Sequence, residues 1–501
     1  MATENNISEI EPLLNSGREK KVPAKDIVQV VSPYAVYVVI ILMVGNILNQ
    51  LCRFVLISTN QSMAQDLEFG DKECNVSNIS ALEHFLKENK INESSVQFCS
   101  WNDGARCDDK NLTEFCKWWY SGTGITYELL VGPLFMVVLS FTGIPVSLVS
   151  EAKSFNRKTI LSICVFGWSI ATLVTGWATQ YWQVAIVRMM LALFEAPYLT
   201  FSSSLASCYF SKKHRSIVIA TLQIGVFVGF GSAFLLSVLD EALGWRWTYW
   251  LSGIPGLVIS VIIFITVKEL KPHDKPITNK KVNIMETLRV FKSPEHIMLV
   301  LAMSVRNGSG FVFAYNINNY FHHYYPNYPT EIFMTWSPVV TGCIGTAIGG
   351  LLADYLSRRW GSAGRLLVVI LSTFVASPLF VGALLTPPPG AFYWLLAFAT
   401  LSELWLGVGL SVIIDISPKH TITSCLAVYY FSYTMIGGNL NVLVTPMTDA
   451  YGWRVTMMIL IVGCLVTAGV LFSIVACLLI RKSSRTVSEN NILNKSIFLN
   501  T

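Results

Sequence analysis

Charge is what this sequence has least of. Of its 501 residues only 13% are charged, against 53% hydrophobic, and the mean hydropathy is +0.52. Soluble domains carry about a quarter of their residues charged, so the soluble classes are excluded. Histidine is scarce as well, with seven in the chain, and none lies deep in an apolar run; His322 and His323 fall at the edge of one. That excludes a histidine proton relay or a histidine-based metal centre inside a membrane. Nucleophile elbows, phosphate-cradling glycine loops and paired intramembrane aspartates are also missing, so neither an enzyme nor a cofactor is expected. The first 30 residues are polar and the first apolar run is of full membrane length, so no cleavable signal peptide is expected.

What the chain has in abundance is long apolar runs. Twelve can be drawn, at 33–57, 127–150, 159–178, 182–206, 217–239, 248–267, 297–321, 332–353, 365–386, 391–414, 423–446 and 452–480. Each is long enough to cross a hydrocarbon core of ~30 Å as a helix. The expected fold is an all-α polytopic membrane protein with a tail at 1–32, a six-helix unit at 33–267, a linker at 268–296, a second six-helix unit at 297–480 and a tail at 481–501. The linker is charged and contains Pro272 and Pro276. Basic residues concentrate in alternate connections: Arg18 to Lys25 before span one, Lys153, Arg157 and Lys158 after span two, Lys212 to Arg215 after span four, and seven more in the linker. The pattern continues through Arg358, Arg359, Arg365, Lys419 and the C-terminal tail. By the positive-inside rule these connections and both termini are cytosolic.

The segment 59–126 is the largest departure from a bare bundle. It carries Cys74, Cys99, Cys107 and Cys116 beside glycosylation patterns at Asn75, Asn78, Asn92 and Asn111. Cysteines among sequons on the non-cytosolic side fit an oxidising compartment and two disulfides, with three connectivities open. In the N-terminal tail Glu9, Leu13 and Leu14 form an acidic dileucine pattern of the kind sorting adaptors read on endosomal and lysosomal proteins.

Five basic residues fall outside the topological pattern: Arg53, Arg188, Arg246, Arg306 and Arg454. Arg188 and Glu195 share span four, seven positions apart, which puts both on one helical face about 10 Å apart along the axis. Charge near a bilayer centre costs roughly 2.5–3.5 kcal/mol on insertion scales, so two in one helix imply a shared polar interior. The kinds of charge recur between halves, with Arg53 in span one and Arg306 in span seven, and Glu195 in span four and Glu403 in span ten. Gly244-Trp245-Arg246 before span six likewise has a counterpart in Gly452-Trp453-Arg454 before span twelve. A duplicated unit with its site between the halves is the architecture this repetition implies. Glycines 225, 229 and 231 in span five form a small-residue packing face. The polar runs Asn316, Asn318, Asn319, Tyr320 and Tyr429, Tyr430, Tyr433, Asn439, Asn441 either line a path or serve interhelical bonding.

Between spans eight and nine the chain reads Gly350-Leu-Leu-Ala-Asp354-Tyr-Leu-Ser-Arg358-Arg359, which resembles the loop signature of the major facilitator superfamily. The first-half counterpart keeps Arg157 and Lys158 but has Lys153 where the signature has aspartate. The resemblance implies a latch in which Gly350 allows close helix approach and Asp354 takes a charge-assisted bond from neighbouring arginines or a helix end. Asn49 through Phe54, Arg188 with Phe194 through Tyr198, Gly244 through Trp247 and Ser402-Glu403 are similar to the spinster-like branch of that superfamily. Cys52 stands where the branch has an acid, which leaves Glu195 as the counter-charge for Arg53, with Arg188 competing for it.

The resemblance implies alternating access around Asn49, Arg53, Arg188, Glu195, Arg306 and Glu403, with an amphiphilic anionic or zwitterionic solute of lysophospholipid or sphingoid type. Glu195 or Glu403 is the expected proton carrier if transport is proton-coupled. The expected location is a lysosomal or endosomal membrane, with the plasma membrane as the alternative. Two other readings stand beside this one: a transporter of small polar organic anions, sugars or amino-acid-like solutes, and a transport-inactive receptor or adaptor. No metal site and no nucleic-acid partner are expected.

Overall fold

The computed structural model describes residues 32–76, 116–151, 156–210, 215–268, 290–326, 328–418 and 422–499. Glu9, Leu13 and Leu14, Cys99 and Cys107, Asn78, Asn92 and Asn111, and the linker from 269 to 289 lie outside the described residues, as do the side chains of Cys74, Asn75 and Cys116.

Among the described residues nine helical stretches are long and apolar enough to cross a membrane. Two of them are each a pair of helices joined at a glycine: Thr330–Leu385 breaks at Gly361 (φ 57°) and Val428–Lys482 at Gly452 (φ 78°). A further span is interrupted in its middle, as Tyr181–Glu195 followed by Tyr198–Tyr209. Each of the twelve apolar runs therefore coincides with helix. Their ends approach one another as a duplicated unit requires. The Tyr34 hydroxyl at the start of span one donates to Thr266 O at the end of span six (2.7 Å), and Lys482 at the end of span twelve pairs with Glu295 at the start of span seven (3.1 Å). Both contacts lie on the face where span one begins and span twelve ends.

On the opposite face the first helix runs further than the sequence predicts, Pro33–Leu67 rather than 33–57. Its last turns are polar and are held from the side: Ser62 Oγ donates to both oxygens of Asp240 (2.8 and 2.7 Å), and Asp66 accepts from Arg246 and from Trp245 Nε1. Two strands follow at the base of the loop, β1 (Lys72–Val76) and β2 (Cys116–Tyr120), paired antiparallel with Cys74 opposite Trp118 and Val76 opposite Cys116. This ribbon is the one departure from an all-α fold among the described residues.

The repeated Gly-Trp-Arg motif takes the same backbone in both halves. Gly244 has φ 85°, ψ 161° and Gly452 has φ 78°, ψ 161°, a region that side-chain-bearing residues enter only with strain of about 1–3 kcal/mol. An added Cβ would meet nothing within 4 Å at either position, so strain is the whole cost there. Gly244→Ala and Gly452→Ala are therefore expected to lower the thermal midpoint in detergent by similar amounts. Gly143→Ala, equally open but inside a regular helix, is expected to leave it unchanged or raise it. The arginines that follow these turns close the same corner of each half. Arg246 reaches Asp66 at the end of span one, and Arg454 reaches the Tyr320 hydroxyl near the end of span seven.

The halves meet through spans two and eleven and through spans five and eight. Ser140 and Thr434 share a hydroxyl contact of 2.6 Å, Phe141 packs edge-on against Phe431, and the Tyr127 hydroxyl donates to Tyr315 O (3.1 Å). Gly231 lies under Thr335 O and Gly342 under the Phe227 ring, each so close that a Cβ would collide. Gly225 and Gly229 of the small-residue face instead pack on span one, against Met43 O and Ile47 O.

Candidate functional site

Span four breaks where Pro197 denies it a backbone donor, and Glu195 is the last residue before the break. Its side chain is fully buried and meets Arg53 of span one, with Nε and Nη2 each 2.8 Å from Glu195 Oε2. The second carboxylate oxygen has no hydrogen-bond partner, and the Arg53 side chain keeps 14% of its surface exposed. Arg188 makes no ion pair with this carboxylate among the described residues, although its charge acts on it. Its Nη2 donates to Arg53 O (2.8 Å) and its Nε to Leu130 O (3.4 Å), so it satisfies backbone rather than charge. Both guanidiniums instead flank one aromatic ring: Arg53 lies 5.1 Å and Arg188 4.7 Å from the centroid of Phe135 in span two. Cation–π contacts that are out of water are each worth about 2 kcal/mol, which helps to hold two like charges side by side.

The same break recurs at the equivalent place in span ten, where helix Gly390–Ser402 passes through a 3₁₀ turn at Glu403–Trp405 into Leu406–Ile416. Here Arg306 and Glu403 make no ion pair among the described residues. Arg306 donates through Nη2 to the backbone oxygen and hydroxyl of Ser402, through Nη1 to Ser309 Oγ (3.2 Å), and lies 5.2 Å from the Trp405 ring centroid. The carbonyl that the helix break releases thus takes the arginine that the acid takes in the first half. The two halves share backbone and charge type but not the ion pair.

Asn49, one turn before Arg53, is buried; its oxygen accepts from Gln50 Nε2 (3.0 Å) and its Nδ2 has no partner. Cys52 turns away from the ion pair, with Sγ 3.7 Å from Ser252 O, onto a small cavity inside the first half lined also by Thr172, Arg188 and Tyr249. Across from Arg53 the second half presents tyrosines. Tyr315 of span seven and Tyr433 of span eleven lie within electrostatic reach of its guanidinium, and Tyr433 stacks on Tyr429 at 5.2 Å and tilts against Tyr430 at 5.4 Å. Of the two polar runs, Tyr433 reaches toward Arg53 with Tyr429 and Tyr430 packed against it, whereas Tyr320, at the outer end of span seven, bonds Leu384 O within its own half. Phe135 and Tyr315 were not foreseeable as site residues, because ordinary apolar and aromatic residues in a span give no periodic signal of what they face.

The latch residues arrange themselves differently from the sequence expectation. Gly350 is exposed with open space around it, while Gly345 and Gly349 take the close approach, against Thr400 O and Leu404 O of span ten. Those two are one helical turn apart on one face, and Gly350 is rotated off it. Asp354 faces Arg365, beyond the Gly361 break, at 3.7 Å, and Arg365 also binds Asp415 at the end of span ten; Arg358 and Arg359 are exposed. In the first half Lys158 Nζ donates to Phe264 O (3.2 Å).

The sequence profile of the Major Facilitator Superfamily matches residues 42–440. Among curated relatives, the D-galactonate transporter of Escherichia coli is 26% identical over 324 residues, covering 58% of this chain and 74% of that protein. The probable sphingolipid transporter spinster homolog 2 of Arabidopsis thaliana is 23% identical over 387 residues, covering 72% and 76%. The sphingosine-1-phosphate transporter SPNS2 of Danio rerio is 31% identical over 121 residues, about a quarter of each chain. Among solved structures, a bacterial homolog of the human lysosomal transporter Spinster, described as inward-facing and unoccupied, superposes with a TM-score of 0.66 at 18% identity, covering 89% of this chain and 97% of that one.

Proposed function

Because this chain belongs to the Major Facilitator Superfamily, we propose that it is a secondary or facilitative transporter of amphiphilic anionic or zwitterionic solutes of lysophospholipid or sphingoid type, working by alternating access. The observation that carries this reading is the asymmetry of the central site. One wall offers a largely buried cation, Arg53, held by a single carboxylate, and the other half brings Tyr433, which stacks on Tyr429 and tilts against Tyr430, within electrostatic reach of it. A phosphate or carboxylate head takes the first and an apolar body the second. Arg53 then exchanges Glu195 for the solute's anion, and Glu195 neutralises the arginine when the site is empty. Names of relatives on both sides of the substrate question, sphingolipid and sugar acid, keep a small polar organic anion as the second reading.

Our reading places both termini in the cytosol and the chain in an endosomal or lysosomal membrane. It is supported by the basic connections, the dileucine at Glu9, Leu13 and Leu14 as an adaptor signal, and the sequons and cysteines of the loop, which we read as glycosylated and disulfide-bonded. Uptake of a panel of lysolipids, sugar acids and other organic anions into acidic vesicles containing the purified protein tests it. Saturable uptake confined to the lysolipids is the expected result. Uptake confined to sugar acids selects the second reading, and no movement of any solute selects a receptor or adaptor role.

A further inference from the structure

The cavity onto which Cys52 turns lies inside the first half, between spans one, three, four and six, and belongs to neither the central ion pair nor the latch. It is about the size of a single water molecule and is lined by Cys52, Thr172, Thr175, Arg188 and Tyr249 together with apolar side chains of spans one and four. Its polar groups are unevenly satisfied. The Thr172 and Thr175 hydroxyls donate to Trp168 O (2.9 Å) and Ala171 O (3.0 Å), and the Cys52 thiol donates to Ser252 O (3.7 Å). Arg188, 6% exposed, uses Nη2 on Arg53 O and Nε on Leu130 O, and its Nη1 makes no hydrogen bond among the described residues. Tyr249 is 4% exposed, and its hydroxyl likewise makes none. A guanidinium and a phenol that line one cavity thus each keep a donor in hand, and none of the lining residues is an acid.

The local charge decides what fills such a space. Arg53 and Arg188 flank the same Phe135 ring, and the acid in ion-pair contact there is Glu195, which Arg53 holds through both of its contacts. Two guanidiniums therefore face one carboxylate, and one positive charge stays in the membrane interior without an ion-pair partner, which is costly. A water molecule meets the same free donors but leaves that charge as it is. A phosphate or carboxylate compound neutralises it but is too large for the space. A monoatomic anion fits, neutralises the charge and only accepts hydrogen bonds, so it takes the two free donors and asks nothing of the apolar side chains around it.

We propose that this cavity is a halide site, filled by chloride, with Arg188 and Tyr249 as its ligands. The ion is the counter-charge of Arg188 and holds spans one, three, four and six together. It lies on the far side of Cys52 from the Arg53–Glu195 pair, so it is a resident of the half and not the transported solute. The inference does not depend on which solute the protein carries.

The test reads the thermal midpoint of the full chain in detergent as chloride replaces methanesulfonate at constant ionic strength and pH. The wild-type midpoint is expected to rise saturably with chloride, and with bromide in its place. Tyr249→Phe removes one donor to the ion and is expected to raise the half-saturating chloride concentration roughly tenfold. Cys52→Asp places a fixed carboxylate in the cavity beside Arg188. Its midpoint without chloride is expected to match that of the chloride-loaded wild type, and its response to chloride is expected to vanish. If the aspartate variant fails to fold, Tyr249→Phe decides. A wild-type midpoint indifferent to chloride would mean that the cavity holds water only. An unmoved half-saturation in Tyr249→Phe, or an undiminished response in Cys52→Asp, would place the ion elsewhere. Each of these results overturns the proposal.

Discussion

Arg53→Ala is expected to reduce uptake into reconstituted vesicles to background and to destabilise the protein by about 3–5 kcal/mol, because it strands a buried carboxylate. Glu195 is fully buried and Arg53 supplies both of its nitrogen contacts at 2.8 Å. The two effects separate in a paired variant. Arg53→Met with Glu195→Gln keeps the volume and removes both charges, so its thermal midpoint is expected to return close to wild type while uptake stays at background. Uptake by Arg53→Ala at the wild-type rate would remove Arg53 from the transport site. Recovery of uptake in the double variant would make the pair a structural element only. Arg188 serves as the contrast, because its bonds go to Arg53 O and Leu130 O. Its removal disturbs where Arg53 sits without leaving Glu195 unpaired.

Gly231→Leu is expected to abolish transport in a protein that still folds. A Cβ at this position lies 2.2 Å from Thr335 O, a backbone atom of the other half that has no rotamer with which to move aside. Overpacking of this kind costs about 1–3 kcal/mol. Spent on closure, that is a roughly tenfold to hundredfold shift toward the form open on the loop-bearing side. Gly229→Leu, two residues earlier, meets Ile47 O of its own half at 2.5 Å and is expected to prevent the half from folding at all. Yield after purification and counterflow in vesicles distinguish the two. Wild-type counterflow by Gly231→Leu would show that the contact between spans five and eight is not remade in each cycle.

The site was only partly legible in the sequence, and the individual residues show why. Arg53, Arg188, Glu195, Arg306 and Glu403 announce themselves because charge in an apolar run is costly wherever it occurs, a property each residue has alone. Their partners do not. Arg306 binds the Ser402 carbonyl where the helix of span ten breaks, and Arg188 binds Arg53 O across to span one, contacts that depend on how the spans fold and pack. Gly350 and Gly349 differ by 100° of helical rotation, which a motif does not specify and packing on span ten does.

The class and the apolar runs were legible in the sequence alone. These follow from the free energy of placing each residue type in hydrocarbon, a sum over local segments that needs no knowledge of neighbours. Only the tertiary structure decided which charges pair, which half lacks its ion pair and where the halves touch. Those outcomes depend on distances between residues far apart in the chain, such as 53 and 195, and a few ångströms there separate an ion pair from two charges satisfied elsewhere.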